Sequence, residues 1–178
     1  MTIMEKMVSE VKIECIKGDI TSQKDITAIV NAANAELKTG GGVAGAIHKT
    51  AGPDLEKECK PLAPIKPGEA VITSGHELPN EYVIHCLGPV YGRDQPEDEL
   101  LSKCYRNALE IAEEKTIDSI AFPALSTGAF GYPKQEAAQV VFGIISEMID
   151  QLKTVKKIRF VLFTEQDLEI YKTKLSKL

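Results

Sequence analysis

Short apolar runs of strand length alternate with stripes of helical period along most of this chain, and that alternation restricts the fold more than any other feature. Val11, Ile13 and Cys15 lie on one face of a strand that runs to Ile16, and Thr27-Ala28-Ile29-Val30 is a second run that enters a turn of small polar residues. Val43, Ile47 and Ala51 recur at helical spacing. The prolines between Pro53 and Pro67 leave room for a short helix and a loop. Ala70 to Thr73 and Tyr82 to Leu87 read as strands separated by Gly75 and Pro79-Asn80. Leu101, Cys104, Tyr105, Ala108 and Ala112 mark a helix over residues 97–115, and Ser119 to Phe122 a strand stopped by Pro123. Ala137, Val141, Ile144, Ile145, Met148 and Leu152 form the cleanest helical face, with Pro133 placed for its first turn. Ile158 to Phe163 is the most apolar strand, and Asp167 to Leu175 a closing helix. Strands that alternate with helices, some apolar throughout, predict a sheet covered on both faces: a three-layer α/β domain. Without a repeat, a low-complexity tract or a dividing linker, a single domain over residues 1–178 is expected.

Charge and cysteine usage narrow the function classes. Lys and Arg number 21 against 26 Asp and Glu, a formal net charge of −5. Polymeric nucleic acid is held by a basic face that releases counterions, and an anionic membrane by clustered lysine and arginine, so both partners are disfavoured. Cys15, Cys59, Cys86 and Cys104 lie far apart among apolar neighbours with no CxxC pair, which reads as reduced core thiols. The start of the chain carries no apolar leader-like run and no segment long enough to span a bilayer, so a cytoplasmic location is expected. His48, His76 and His85 have no second ligand at metal spacing and read as ordinary core or surface histidines, with no metal site. The acidic runs Glu97-Asp98-Glu99 and Glu113-Glu114 read as a solvated face.

The densest glycine cluster, Gly40-Gly41-Gly42-Val43-Ala44-Gly45-Ala46-Ile47, runs directly into a helix. Glycine lets backbone approach a ligand closely, and a helix start presents unpaired N–H groups at the positive end of its dipole, so this segment suits a phosphate or pyrophosphate. Gly40-x-Gly42-x-x-Gly45 matches the dinucleotide fingerprint literally, but the preceding strand ends near Val30, too early for a Rossmann turn. A Walker A loop fails as well, because Lys49-Thr50 follow His48 inside the helix. A second loop, Pro123 to Pro133, also follows a strand and opens a helix. The two loops would clasp a diphosphate with backbone amides, with Phe130 and Tyr132 offering apolar faces to sugars. Gly18-Asp19-Ile20-Thr21 and Asn31-Ala32-Ala33-Asn34 stand at strand ends, where open α/β sheets bind ligands. Asp19 as a cap and the asparagines as turn-holders are the competing readings. Phe163 reads equally as a base-stacking or a core aromatic.

Taken together, Gly18-Asp19-Ile20-Thr21, Val30-Asn31-Ala32-Ala33-Asn34, Gly40 to Ile47, Gly88-Pro89-Val90 and Ser126 to Pro133 resemble the macro domain family in order and spacing, over about residues 11–175. The resemblance implies a three-layer α/β/α fold with a mixed, largely parallel central sheet and an ADP-ribose cleft at the sheet's edge, with no cofactor and no metal. It implies that Asp19 accepts the adenine amino group, that Ile20 offers a backbone amide nearby and that Phe163 packs on the adenine. Gly41, Gly42 and Val43, with Ser126, Thr127, Gly128, Ala129 and Phe130, would cradle the diphosphate and proximal sugar. Asn34 would hydrogen-bond the distal ribose, with Asn31 shaping the turn and Phe130 packing against that ribose. ADP-ribose, its O-acyl derivatives and ADP-ribosylated proteins are the implied partners.

Macro domains either bind ADP-ribose or remove it. Removal would hydrolyse an ester at the distal ribose, releasing a protein carboxylate or acetate, a task of placing water and sugar rather than of supplying a strong nucleophile. One hydrolase branch of the family has an aspartate where this chain has Ala44, and another a histidine where it has Thr39. Hydrolysis is also known in similar domains with alanine at that position, so the expected activity is a mono-ADP-ribosyl hydrolase or O-acetyl-ADP-ribose deacetylase with Asn34 as its catalytic residue. The alternative is a non-catalytic ADP-ribose reader.

Overall fold

The computed structural model describes residues 4–178, within which β1 (Met4–Val8), β2 (Val11–Lys17), β3 (Ala28–Ala32), α1 (Gly42–Ala51), α2 (Pro53–Cys59), β4 (Ala70–Ser74), β5 (Tyr82–Cys86), α3 (Glu97–Glu114), β6 (Ser119–Phe122), α4 (Lys134–Met148), β7 (Lys157–Leu162) and α5 (Glu165–Ser176) follow one another. The strands form one sheet in the order β1-β2-β7-β6-β3-β5-β4. The five inner strands pair in parallel, and β1 and β4 close the edges antiparallel. The layering is the three-layer α/β domain that the alternation predicts, and the mixed, largely parallel sheet is the one that the resemblance implies.

Strand parity sends each inner strand's side chains to two separate cores. Val11, Ile13, Cys15, Val30, Ile120, Phe122 and Phe160 face α3, α4 and α5, where Phe122, Phe142, Phe160 and Tyr171 pack ring on ring. Ile16, Ile29, Val83, Ala121 and Val161 face the other way and pack against Ile47 of α1 and Leu55 of α2. All four cysteines are free thiols buried in these cores, as expected of reduced core residues. Among the described residues, no helix is long and apolar enough to cross a membrane.

Part of the second face lies beyond the reach of α1 and α2, and there a charged cluster replaces the apolar layer. Arg159 of β7, 9% exposed, donates from Nε to Glu14 of β2 at 2.8 Å. Its Nη atoms also donate to both carboxylate oxygens of Asp25 and to Gln23. A buried guanidinium needs such partners, since an unpaired charge would cost several kcal/mol of desolvation. The Arg159 hydrogen bonds, against a smaller opposing effect of burial, hold the Asp25 carboxyl well below the usual carboxylate range. Asn80 Nδ2 adds bonds to the carbonyls of Gln23 and Ile26, both at 2.7 Å. Segment 18–26 is thereby fastened to the sheet at its far end.

Three details differ from the sequence reading. β1 has no counterpart in it, because its turn, Ser9-Glu10, adopts positive φ at both residues (47° and 68°) without the Asn-Gly signature of such hairpins. Pro133 is the residue before the first helical one, not within the first turn. Glu113 is more than a solvated charge: its carboxylate accepts from the backbone N–H groups of Lys153, Thr154 and Val155 and from Thr154 Oγ1, at 2.7–3.2 Å.

Glu113 therefore latches the turn before β7. Partial burial works to raise its pKa, but the bonds from Val155, Lys153 and Thr154 together prevail and hold it below the ordinary value. A depressed folded pKa means that the latch is fully stabilising above the unfolded carboxylate range, near pH 4.3, and is lost as pH falls through the lower folded value. Glu113→Ala is expected to lower stability by about 2 kcal/mol at neutral pH, with a flatter acid limb, as measured by urea denaturation from pH 7 to pH 2.5.

Candidate functional site

Because β2, β7, β6, β3 and β5 run parallel, their carboxyl ends share one edge of the sheet. In spatial order that edge presents Asp19-Ile20, Phe163, the 123–133 loop, the 33–41 loop with the start of α1, and Gly88-Pro89-Val90. Adjacent strands are about 4.8 Å apart, so the row spans roughly 19 Å. Asp19, Ile20, Asn34, Gly41, Gly42, Val43, residues 126–130 and Phe163 stand at this edge, whereas Asn31 lies beneath it within β3.

At one end Asp19 caps a 3-10 turn over Ile20–Ser22, its Oδ1 accepting from Thr21 N at 2.9 Å and Thr21 Oγ1 at 2.7 Å. The capping reading is thus realised, and the exposed carboxylate keeps acceptor capacity beyond these bonds. Ile20 is buried with Ile47 of α1 in the same apolar cluster, which seats the turn against the helix. Phe163 follows β7 directly and is 86% exposed. Its reading as a core aromatic is thereby overturned. Leaving a phenyl ring in water forgoes about 2 kcal/mol of burial, so the ring stands as a free apolar face beside Asp19.

In the centre, α1 starts at Gly42 behind an N-cap glycine, Gly41, that supplies no side-chain cap. The N–H groups of Gly42, Val43 and Ala44 consequently have no protein acceptor among the described residues. Gly42 has φ +56°, and nothing lies within 4 Å of where a Cβ would project from Gly41 or Gly42, so this surface is open. Gly45 differs: a Cβ there would collide with the Gly40 carbonyl oxygen, so glycine is needed to fold the loop onto its helix. Asn34 holds the same loop, with Nδ2 donating to Lys38 O at 2.7 Å and Oδ1 accepting from Lys38 N at 2.9 Å. Glu56 of α2 accepts from Thr39 N at 3.3 Å.

The second loop folds back on itself through Gly131 N to Gly128 O and Tyr132 N to Ser126 O. This leaves the N–H groups of Thr127, Gly128, Ala129 and Phe130 without protein acceptors among the described residues. Ser126 carries the strain of the reversal, with φ +67° at a buried non-glycine residue. Its Oγ has no hydrogen-bond partner and packs where a Cβ on Gly88 would stand, so Gly88 is the complement of this bend. Phe130 is half-buried against the α1 core, and its carbonyl accepts from Tyr91 N at 2.9 Å. Tyr132 does not offer a face to a sugar: it is 4% exposed, against Tyr91 at 4.9 Å between ring centroids.

Beneath the loops lies a polar chain that the sequence reading missed. Asn31 sits in β3, not in the turn after it, and is 1% exposed. Its Nδ2 lies 3.0 Å from His85 Nδ1, while His85 Nε2 lies 2.9 Å from Thr73 Oγ1. Burial, with a smaller push from His48, lowers the His85 pKa to about 3, so the ring is neutral at physiological pH. The amide must donate to Nδ1, which assigns the proton to Nε2 and directs it to Thr73, whose hydroxyl reaches Ser74 O at 3.1 Å. His85 is a satisfied core histidine, as expected. The only sequence signal for the chain was the parity that puts Asn31, His85 and Thr73 on one face of adjacent strands.

The edge as a whole is a row of amides without protein acceptors among the described residues, flanked by an exposed aromatic and a carboxylate. Residues 39–45 and 123–133, which supply the amides, contain no lysine or arginine. Such an arrangement binds an anion by oriented dipoles rather than by net charge. Gly45→Ala is expected to cost about 1–3 kcal/mol through the clash with Gly40, whereas Gly41→Ala, in open space, should stay within about 1 kcal/mol. Guanidinium unfolding of the two variants checks the contrast.

Comparison with known proteins accords with this geometry. The macro domain family profile matches residues 30–141. A macro domain-containing protein of Chlorobaculum tepidum is 46% identical over 171 residues, covering 96% of this chain and 99% of its own length. The ADP-ribose glycohydrolase MACROD2 of Xenopus laevis is 44% identical over 93% of this chain, which spans only 40% of that protein. A solved Oceanobacillus iheyensis macrodomain with ADP superposes with a TM-score of 0.94 at 40% identity, covering 99% of this chain and 96% of that one. A Trypanosoma brucei macrodomain in complex with ADP-ribose gives 0.85 at 36% identity, over 92% of this chain and 68% of that one. The chain belongs to the macro domain family.

Proposed function

We propose that this chain, as one macro domain, binds ADP-ribose along the carboxyl edge of its sheet and hydrolyses the ester joining the distal ribose to an acidic protein side chain or to acetate. The observation that carries the reading is the order of features along the edge. An exposed ring and a carboxylate stand at one end, and two loops of free amides follow, the second of them braced by Asn34. Adenine, diphosphate and distal ribose require that order. Phe163 stacks on the base and Asp19 accepts from its amino group near the Ile20 amide. The amides of Gly42 and Val43 and of Thr127 to Phe130 take the diphosphate, and Phe130 packs on the distal sugar. The ligands named for the Oceanobacillus and Trypanosoma macrodomains, and the glycohydrolase name of the Xenopus relative, support the same assignment.

Hydrolysis here rests on orientation. Asn34 commits one donor and one acceptor to Lys38, which fixes the amide plane, and retains a second hydrogen and a second lone pair for the ribose hydroxyls. Ala44 and Thr39 supply neither a carboxylate nor an imidazole, so water is held by ribose and backbone rather than activated by a strong base. The same alanine favours the second reading, a reader that binds without turnover. The four buried free thiols suit a reducing compartment, and we assign the protein to the cytoplasm.

Calorimetry with ADP-ribose tests the assignment, and Phe163→Ala should weaken binding by about 1–3 kcal/mol, roughly 5- to 150-fold. Release of ADP-ribose from a glutamate-linked substrate separates eraser from reader. Asn34→Ala should abolish turnover while leaving ADP-ribose affinity within about tenfold; turnover that survives the substitution would remove the catalytic role of Asn34.

A further inference from the structure

β4 is an edge strand, and its register reveals which of its backbone groups are unpaired. Leu87 N donates to Glu69 O, and Gly75 N to Glu81 O, so residues 69, 71, 73 and 75 form the hydrogen-bonded pairs with β5. Ala70 and Ile72 therefore turn their N–H and C=O groups off the sheet. At Ser74, the next residue of that set, the outward N–H is capped by the Glu58 carboxylate at 3.2 Å. The open stretch is the part of β4 nearest the carboxyl edge, since Ala70 pairs with Cys86 at the end of β5.

This stretch borders a surface groove of about 480 Å³. Leu62, Pro64 and Ile65 form one wall, Glu110, Ile111 and Glu114 of α3 the other, with Ala70 and Val71 between. Leu62 is 38% exposed, one of four large apolar residues so placed among the described residues. Glu69, Glu110 and Glu114 are exposed on the rim, and among the described residues no lysine or arginine lines the groove. One lining residue is tied to the candidate site's loop: Ile65 N donates to Ala35 O at 2.9 Å, one residue beyond Asn34.

We propose that this groove docks an extended, lysine- or arginine-bearing segment of the ADP-ribosylated protein, added antiparallel or parallel to β4 as a further strand. Open N–H and C=O groups at Ala70 and Ile72 supply the main-chain pairing. The apolar walls accept side chains on alternate positions, and the three carboxylates select cations and repel nucleic acid and acidic peptides. Continuity with the Asn34 loop would let the modified side chain reach the distal ribose while its flanking residues lie in the groove. The inference rests on the proposed ADP-ribose site and names the class of protein substrate that this site would serve.

The test uses peptides carrying ADP-ribose on one side chain through a non-hydrolysable amide, flanked either by alternating lysine and valine or by alternating aspartate and valine. Fluorescence anisotropy should show the lysine peptide binding at least tenfold tighter. The double variant Glu110→Lys/Glu114→Lys should erase that preference while calorimetry with free ADP-ribose is unchanged, and N-methylation of alternate lysine-peptide amides should remove it as well. Equal affinity for both peptides, with normal binding of free ADP-ribose, would overturn the docking surface and leave the ADP-ribose site standing. A failure of free ADP-ribose to bind would overturn the underlying reading instead. Concentration-dependent dimerisation that the double variant abolishes would assign the edge to a second copy of this chain and likewise overturn the proposal.

Discussion

Parallel pairing of β2, β7, β6, β3 and β5 obliges each connection between them to cross a face of the sheet, and so brings five carboxyl ends to a single edge. Everything proposed for this protein depends on that constraint. Residues as far apart in sequence as Asp19 and Phe163 become neighbours because β2 pairs with β7. The two amide-bearing loops become neighbours because β3 pairs with β6. The anchors beneath are of different kinds: Arg159 and Asn80 pin segment 18–26, Asn31 ties β3 to β5 through His85, and Gly88 makes room for the strained Ser126.

An acidic chain with an anion-binding edge is consistent on electrostatic grounds. Helix starts and folded-back loops present fixed partial positive charges within a few ångströms, whereas the net charge of −5 acts at longer range and is screened by salt. A small diphosphate can be held in contact with such dipoles, while a long polyanion would meet repulsion over most of its length. The carboxylates of the β4 groove extend the same selectivity to the protein that carries the ligand.

The sequence disclosed most where local chemistry and fold agree. The glycine run before α1 and the small-residue loop before α4 were legible because backbone that leaves its amides free has a composition of its own, and Asp19 because it stands at a strand end and caps the turn that follows. Phe163 was ambiguous, since an aromatic after an apolar strand carries the same signal whether it points into the core or away; its exposure resolves the matter. Tyr132 was misread because its ring is claimed by Tyr91, a residue in another loop. β1 was missed because its Ser9-Glu10 turn carries no hairpin signature, whereas the Glu113 latch, the Arg159 cluster and the Asn31–His85–Thr73 chain all depend on pairings between distant segments. No single window of sequence contains those pairings, so only the folded chain reveals them.

In the proposed site, backbone amides rather than basic side chains hold the diphosphate. The most direct measurement is a ¹H–¹⁵N NMR titration of the labelled protein with ADP-ribose. The largest shifts should fall on the amides of Gly42, Val43 and Ala44 and of Thr127 to Phe130, at opposite sides of one groove. Shifts confined to lysine- and arginine-rich surface elsewhere, with these amides unmoved, would contradict the account.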